Sequence, residues 1–353
     1  MRQSTLSLLS LFALAGCAAV QPAPSDVTEA HASLEAATAF STTSAPYTKG
    51  TSSPFNRQVV LNRVIERVKS GEDCSDATTS ANWAVSDLFP GTSAAELKRY
   101  CVLTWTGNSL PTNNSKPSGT LANMSHDRLA VVGLSGGASA VFSDLEDNTI
   151  DLVDPVNDFG GAFDDRARLT LIDSTPTSDT PMTESAFDKH GTRLAGLADA
   201  FVCDKQSGTD RVCAVDVESQ LALGWEQHGT GANPLWQAPT NGGSVGRISD
   251  IATAIVDAVD NWKVDRDKTD STVGRLVLNL SLGWHPSAYS ITNKAAAENA
   301  VFAALNYASC EGVLVFAAAG HDDTPIGENG RMGASLPGAW EAERELTNFQ
   351  CFF

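Results

Sequence analysis

The chain has 353 residues, of which 42 are acidic and 24 are Lys or Arg, so its formal net charge is -18 at pH 7. The basic residues form no long run, which argues against a nucleic-acid-binding protein because such proteins carry a basic patch or stripe. The length allows one large domain with an extension or two ordinary domains, and the acidic surface is typical of a soluble protein outside the cytoplasm.

The first residues predict a bacterial export signal. Arg2 supplies a positive start, and residues 6–14 form an apolar segment too short to span a bilayer. Leu-Ala-Gly-Cys at 14–17 resembles the lipobox of bacterial lipoproteins. This implies a signal peptide over residues 1–16, acylation of Cys17, and a chain that is lipid-anchored to the membrane outside the cytoplasm. The alternative is an ordinary signal peptide with a chance cysteine.

Besides Cys17, the chain has an even number of cysteines, which suggests three disulfides in an oxidising compartment. We expect the pairs that are nearest along the sequence, namely Cys74 with Cys101, Cys203 with Cys213, and Cys310 with Cys351. No C-x-x-C or H-x-x-x-H spacing supports a metal site, and no cofactor is expected. An acidic cluster leaves structural calcium open, although solvated loop charges explain it more simply; its members are Asp144, Glu146, Asp147, Asp151 and Asp154.

Residues 17–55 are rich in Ala, Ser, Thr and Pro, which predicts a disordered tether. After the tether, apolar residues recur at helical spacing until Gly71 and predict an amphipathic helix; they are Val59, Val60, Val64, Ile65 and Val68. Residues 56–125 are therefore interpreted as a small, mainly helical pre-domain, which is either a pro-segment or a packing extension.

From residue 127 onward, apolar strands alternate with amphipathic helices. The predicted strands cover residues 129–132, 169–172, 211–217, 276–282 and 312–318, and the predicted helices cover 190–201, 249–262 and 293–309. This alternation indicates a parallel sheet with helices on both faces, in which the active site lies at the carboxyl ends of the strands. We therefore predict an α/β domain over residues 126–353.

Asp173 ends a predicted strand, and His190 begins a predicted helix. A carboxylate in this position can hold one tautomer of an imidazole and stabilise the imidazolium that forms when a serine is deprotonated. Taken alone, Asp173 fits a turn and His190 fits a helix start. Their order with the downstream segments favours a catalytic interpretation.

Four short segments carry that order. They are L-T-L-I-D-S at 169–174, H-G-T-R-L-A-G at 190–196, L-N-L-S-L-G at 278–283 and V-L-V-F-A-A-A-G-H at 313–321. Together they resemble the aspartate, histidine, substrate-strand and oxyanion motifs of the subtilisin-like serine proteases. The resemblance covers about residues 165–340.

The resemblance implies a subtilisin-like three-layer sandwich with a mainly parallel sheet, incomplete at its C-terminal end. It also implies a serine endopeptidase that acts on a protein or peptide substrate, with Asp173 orienting His190 and His190 acting as base and acid. Ser281, Leu282 and Gly283 would bind an extended peptide through main-chain hydrogen bonds.

The chain departs from the family pattern in three places. His321 occupies the position of the oxyanion-hole Asn, although a histidine can also donate a hydrogen bond. Only 16 residues separate Asp173 from His190, a tight connection for the family. The serine motif G-T-S-M-A-x-P is not found after His321, so no nucleophile is assigned and we expect the chain to be inactive.

Other serines offer alternatives. Ser135 lies in a G-x-S-x-G match after an apolar strand, which is the pattern of an α/β-hydrolase esterase. Ser335 in G-A-S-L-P is a faint echo of the serine motif but lies too close to His321. The G-T-S at 91–93 precedes Asp173 and fits a helix N-cap. A non-catalytic, lipid-anchored binding protein on a protease scaffold is the third possibility.

Overall fold

The structure is a computed structural model and describes residues 47–48, 59–77, 82–107, 123–134, 166–174, 191, 194–195, 198, 202, 213–223, 225–226, 241–269, 271–284, 295–318, 336–338 and 340. Several of the residues singled out above lie outside these ranges, among them Cys17, Ser135, His190, His321 and Ser335; Cys203, Cys351 and the acidic cluster from Asp144 to Asp154 do so as well. Within the described ranges, no helix is long and apolar enough to cross a membrane.

An antiparallel sheet of seven strands forms one side of the molecule. Its strands are β1 (Tyr47–Thr48), β2 (Val59–Arg67), β3 (Trp83–Asp87), β4 (Tyr100–Trp105), β5 (Met124–Leu134), β8 (Trp225–Glu226) and β9 (Asn241–Arg247). Their order is β3-β4-β2-β5-β9-β8, with β1 paired to β2. Because β5 pairs with both β2 and β9, the strands on either side of residue 125 belong to the same sheet.

The helix predicted from Val59 to Val68 is wrong, because these residues form β2 and its end. Val64 and Ile65 are neighbours in the strand and both are fully buried, but they belong to different hydrophobic clusters on opposite faces of the sheet. Burial on both faces removes the alternation that marks a half-exposed strand. The described part of 56–125 is therefore mainly β, and its helical content is two short 3-10 turns, Cys74–Asp76 and Leu97–Arg99.

A second sheet has four strands, all of them parallel. They are β6 (Arg166–Asp173), β7 (Val215–Leu221), β10 (Val273–Leu280) and β11 (Leu314–Ala317), in the order β11-β10-β6-β7. The sequence-based prediction of a parallel sheet is confirmed, but the strand predicted at 129–132 is not part of it, because these residues lie in β5 and pair antiparallel with β9. β7 lies four residues further along the chain than the predicted strand at 211–217.

Two helices, α1 (Ile248–Arg266) and α2 (Ala296–Cys310), pack against each other between the two sheets. The largest buried cluster joins all three layers, since it contains Ile65 of β2, Ile255 of α1 and Leu278 of β10. Both helices agree in position with those predicted at 249–262 and 293–309. The antiparallel sheet therefore packs on the far side of the helices from the parallel sheet.

The other face of the parallel sheet is covered by helical residues of the predicted helix at 190–201. Leu194, Ala195 and Ala198 are buried and pack with Leu169 and Leu171 of β6. The parallel sheet thus has helical residues on both faces. The fold is mixed α/β, with an antiparallel sheet added to a parallel one.

Candidate active site

Asp173 is the last residue of β6, and its side chain is 1% exposed. Its Oδ1 atom accepts hydrogen bonds from the backbone N–H of Ser174 at 2.7 Å and from Oγ of Ser174 at 3.0 Å. Hydrogen bonds to a carboxylate oxygen fix the orientation of the group. Asp173 therefore lies where the sequence predicts it, at the carboxyl end of a parallel strand.

Ser174 also contacts the histidine motif. The backbone N–H of Gly191 donates a hydrogen bond to Oγ of Ser174 at 3.0 Å, in a buried position. The same hydroxyl thus donates to Asp173 and accepts from Gly191. His190 itself lies outside the described residues, but the structure brings the residue that follows it next to the residue that follows Asp173.

The main chain of Asp173 is held separately from its side chain. Its carbonyl oxygen accepts hydrogen bonds from the backbone N–H of Ala222 at 2.7 Å and from that of Leu223 at 3.1 Å. These residues follow the end of β7, which pairs with β6 as far as Asp173 and Leu221. Two adjacent donors on one carbonyl anchor the end of β6.

The predicted substrate-binding segment follows β10, the neighbour of β6. The register pairs Asn279 with Leu171, and two further residues along each strand bring Ser281 level with Asp173 at the same edge. Nδ2 of Asn279 donates to Oγ of Ser281 at 3.0 Å, and Leu282 is buried. The segment that includes Gly283 therefore begins beside Asp173.

Just beyond Gly283, Trp284 exchanges two backbone hydrogen bonds with Leu336. β11 is the other neighbour of β10, and the N–H of Ala318 donates to the carbonyl of Leu280 at 3.0 Å. The segment that leads to His321 thus leaves the sheet at the edge that carries Asp173. Three of the four motif segments lie on adjacent parallel strands.

The esterase alternative depends on Ser135, which follows β5 directly. β5 lies in the antiparallel sheet between β2 and β9, whereas Asp173 lies in the parallel sheet. In an α/β-hydrolase, the serine stands on a turn at the top of the sheet that carries the acid. The described strands do not have this arrangement, so they give the esterase interpretation no support.

The cysteines agree in part with the expected pairing. Cys74 and Cys101 form a disulfide, with their Cα atoms 5.4 Å apart. Cys213 and Cys310 are also disulfide-bonded, and the cysteines expected to pair with them, Cys203 and Cys351, lie outside the described residues. The first predicted pair is confirmed.

Arg168 is a buried cation that the sequence analysis did not single out. Its guanidinium contacts carboxylates of Asp216 at 2.9 Å, Glu218 at 3.1 Å and Asp265 at 2.8 Å, and the residue is 5% exposed. Burial raises the pKa of Glu218 to about 6, against the attraction of Arg168. The signal in the sequence is the arginine among the apolar residues of β6 and the two acidic residues of β7. This cluster ties the sheet to the end of α1.

Asp127 is a second buried charge that was missed. It is fully buried in β5, where Oδ1 accepts from the N–H of Ser249 at 3.2 Å and Oδ2 accepts from Nε of Arg63 at 3.1 Å. Burial raises the pKa of Asp127, although Arg63 opposes the shift. Since Ser249 lies in the first turn of α1, this carboxylate caps a helix from another element.

The described residues contain no group of three or more His, Cys, Asp or Glu side chains that could hold a metal ion. The acidic cluster from Asp144 to Asp154 lies outside the described ranges. No protein-family model matches the chain, and neither a curated protein nor a solved structure matches it at a significant level. Any functional conclusion therefore rests on the residues themselves.

Proposed function

We propose that this chain carries the scaffold of a subtilisin-like serine endopeptidase, in which Asp173 orients His190. The observation that carries the proposal is the hydrogen-bond chain from the N–H of Gly191 through Oγ of Ser174 to Oδ1 of Asp173. His190 directly precedes Gly191. A buried carboxylate beside that position is what an imidazole needs to keep one tautomer and to be stabilised when charged.

The strand order supports the same proposal. β6 carries the aspartate motif, β10 the substrate motif and β11 the oxyanion motif, and they are neighbours in the order β11-β10-β6. Because parallel strands present their carboxyl ends at one edge, the three motifs converge there. We propose that this part of the chain forms the three-layer sandwich of the family, with the helical residues Leu194, Ala195 and Ala198 on one face and α1 and α2 on the other.

In the proposed reaction, the oxygen of a serine hydroxyl attacks the peptide carbonyl carbon while His190 takes the proton of that hydroxyl. The C–N bond then breaks, and His190 gives the proton to the leaving amine. Ser281, Leu282 and Gly283 would align the peptide through main-chain hydrogen bonds, and His321 would donate to the oxyanion. No serine of the chain is assigned as the nucleophile, so we propose that these 353 residues do not turn over peptides.

Labelling with a fluorophosphonate probe tests this proposal, since the probe reacts with activated serines. We expect no labelling and no hydrolysis of a denatured protein substrate. Labelling that disappears in Ser135→Ala would replace the proposal with the esterase alternative. Labelling that disappears in Ser335→Ala would place the nucleophile at that residue instead.

The Asp173–His190 pair is tested independently of turnover by an NMR titration of the His190 imidazole. An adjacent carboxylate raises the pKa of a histidine, so Asp173→Asn should lower the pKa of His190 by about one unit or more. The matched control is Asp267→Asn, an exposed carboxylate at the end of α1. An equal pKa of His190 in the wild type and in Asp173→Asn would show that the pair does not form.

A second candidate is a peptide-binding protein on the same scaffold, in which the segment Ser281, Leu282 and Gly283 holds the peptide without cleavage. Fluorescence anisotropy with a labelled, extended peptide would show saturable binding without cleavage in this case. We also propose that Cys17 anchors the chain outside the cytoplasm, a location that suits the disulfide between Cys74 and Cys101. Incorporation of labelled palmitate that is lost in Cys17→Ser tests this location.

A further inference from the structure

Gly246 lies at the point where the chain passes from one sheet to the other. β7 ends at Leu221 in the parallel sheet, and β8 begins at Trp225 in the antiparallel sheet. β8 pairs with β9, with Trp225 opposite Val245 and Glu226 opposite Ser244. Ala222 and Leu223, which follow β7, lie against β9 at Gly246.

This contact leaves no space for a side chain on Gly246. A Cβ atom there would overlap the carbonyl oxygen of Ala222 and would lie 2.8 Å from Cα of Leu223. It would also lie 2.9 Å from Cδ2 of Leu223, which is the only one of these three atoms that a change of rotamer could move away. Contact with backbone atoms can be relieved only by a shift of the chain itself.

The atoms that Gly246 approaches belong to the residues that anchor the catalytic aspartate. Ala222 and Leu223 donate their backbone N–H groups to the carbonyl oxygen of Asp173, at 2.7 Å and 3.1 Å. All three residues are buried. A displacement of Ala222 and Leu223 away from β9 would therefore change the two hydrogen bonds that hold the end of β6.

We propose that Gly246 is a positioning residue for Asp173. Because Gly246 has no side chain, β9 can pack closely against Ala222 and Leu223 and keep their N–H groups within hydrogen-bond distance of the Asp173 carbonyl. The inference rests on the proposed function, since it gives Asp173 the role of the orienting acid. Gly246 also pairs with Ala130 of β5. The position of β9 in the antiparallel sheet therefore affects the position of Asp173. In this way the antiparallel sheet helps to support the site.

Amide hydrogen exchange tests the contact itself. In the wild type, the amides of Ala222 and Leu223 should be as protected as those of the parallel ladder. In Gly246→Ala, both should exchange at least about tenfold faster. The amide of Ser249, which is three residues beyond Gly246 and bonded to Asp127, serves as the internal control and should change less. Rapid exchange of both amides in the wild type, or unchanged exchange in Gly246→Ala, would overturn the proposal.

The pKa of His190 tests the consequence for the site. Asp173→Asn defines the full effect of losing the carboxylate, and Gly246→Ala should lower the pKa of His190 by at least half as much. The double variant Gly246→Ala with Leu223→Ala should not recover the wild-type value, because the closest clash is with the oxygen of Ala222. Recovery would mean that Gly246 merely accommodates the side chain of Leu223, and the proposal would be wrong.

The two proposals fail in different ways. If Asp173→Asn leaves the pKa of His190 unchanged while Gly246→Ala still speeds the exchange of the Ala222 and Leu223 amides, then the proposed Asp173–His190 pair is wrong and the proposed contact of Gly246 is right. If Gly246→Ala does not fold, Ala222→Pro removes the shorter of the two donors without a side chain at 246. In that variant the pKa of His190 should fall in the same direction, and an unchanged value would contradict the positioning role.

Discussion

The backbone N–H of Gly191 donates a hydrogen bond to Oγ of Ser174 at 3.0 Å, across 17 residues of sequence. This bond joins the residue after His190 to the residue after Asp173. The hydroxyl of Ser174 can make both contacts at once: it accepts a hydrogen bond from Gly191 of the histidine motif and donates one to Asp173 of the aspartate motif. The candidate site is therefore held together by Ser174, the residue that directly follows Asp173.

Ser174→Ala should lower the stability of the chain and disturb the site. It leaves the buried N–H of Gly191 without its acceptor and removes one of the donors to Asp173, a loss of about 1–3 kcal/mol in the free energy of unfolding. Urea unfolding followed by tryptophan fluorescence measures it. Ser75→Ala, which removes an exposed hydroxyl bonded to Asp73, should change the same quantity by less than about 0.5 kcal/mol. Equal effects of the two variants would contradict the structural role of Ser174.

Arg168→Met should destabilise the chain by about 2–4 kcal/mol, because three carboxylates would lose their shared cation. The side chains of Asp216, Glu218 and Asp265 are each 31–40% exposed, so water compensates part of the loss. The control is Lys69→Met, which removes a surface ion pair with Glu72 and should change the free energy of unfolding by about 0–1 kcal/mol. Similar melting temperatures for both variants would show that the buried cluster adds no stability.

Asp257→Asn should flatten the dependence of stability on pH. Burial, reinforced by the charge of Asp260, raises the pKa of Asp257 to about 6. The folded chain thus binds more protons than the unfolded one between roughly pH 4 and pH 6, and stability falls as the pH rises through this window. The pKa of Glu218 is also raised, so part of the decline in stability with rising pH should remain in the variant.

The Asp257→Asn variant should therefore be more stable than the wild type at pH 7, by about 1–3 kcal/mol, and equal to it near pH 4. Urea unfolding at half-unit intervals of pH gives the two curves. Asp267→Asn, with a side chain that is 67% exposed, is the matched control and should run parallel to the wild type. A curve for Asp257→Asn that also runs parallel to the wild type would exclude the partly buried carboxylate of Asp257 as the cause.

Removal of the disulfide with Cys74→Ala and Cys101→Ala together should cost about 3.5 kcal/mol, by the entropy of closing a loop of this length. The two cysteines are 27 residues apart, and both lie in the cluster on the outer face of the antiparallel sheet. Urea unfolding of the oxidised protein measures the change. The bonds of Cys213 and Cys310 stay intact, so a loss above about 5 kcal/mol would exceed what this one loop provides.

The parallel half of the fold could be predicted because its burial follows simple rules. Leu171 and Ile172 are consecutive in β6 and face different clusters, so apolar residues occur on both faces of the strand, which is typical of a parallel sheet. α1 was predicted almost in full. Its last turn continues beyond the apolar stripe because Lys263 bonds Glu311 at 2.5 Å and Arg266 lies over the ring of Trp262.

The antiparallel half could not be predicted by the same rules. β9 has the sequence Asn-Gly-Gly-Ser-Val-Gly-Arg, which carries no strand pattern, and it is a strand because β5 and β8 pair with its two edges. β2 is apolar on both faces and its spacing fits a helix equally well, although its β-branched residues favour a strand. Ser174 was part of a quoted motif, but its bridging role depends on Gly191, which only the fold brings near.

The pairing of β5 with β9 also determines at which stage of folding the molecule is most prone to aggregate. Leu129 lies opposite Arg247, whereas Trp83 and Trp105 meet within one local hairpin. Contacts between distant segments form late, because a long loop must close first. Until the chain around residue 247 arrives, one main-chain edge of β5 has no neighbour, and such an edge pairs readily with the same strand of another molecule. Aggregation during refolding should therefore increase with protein concentration over this interval.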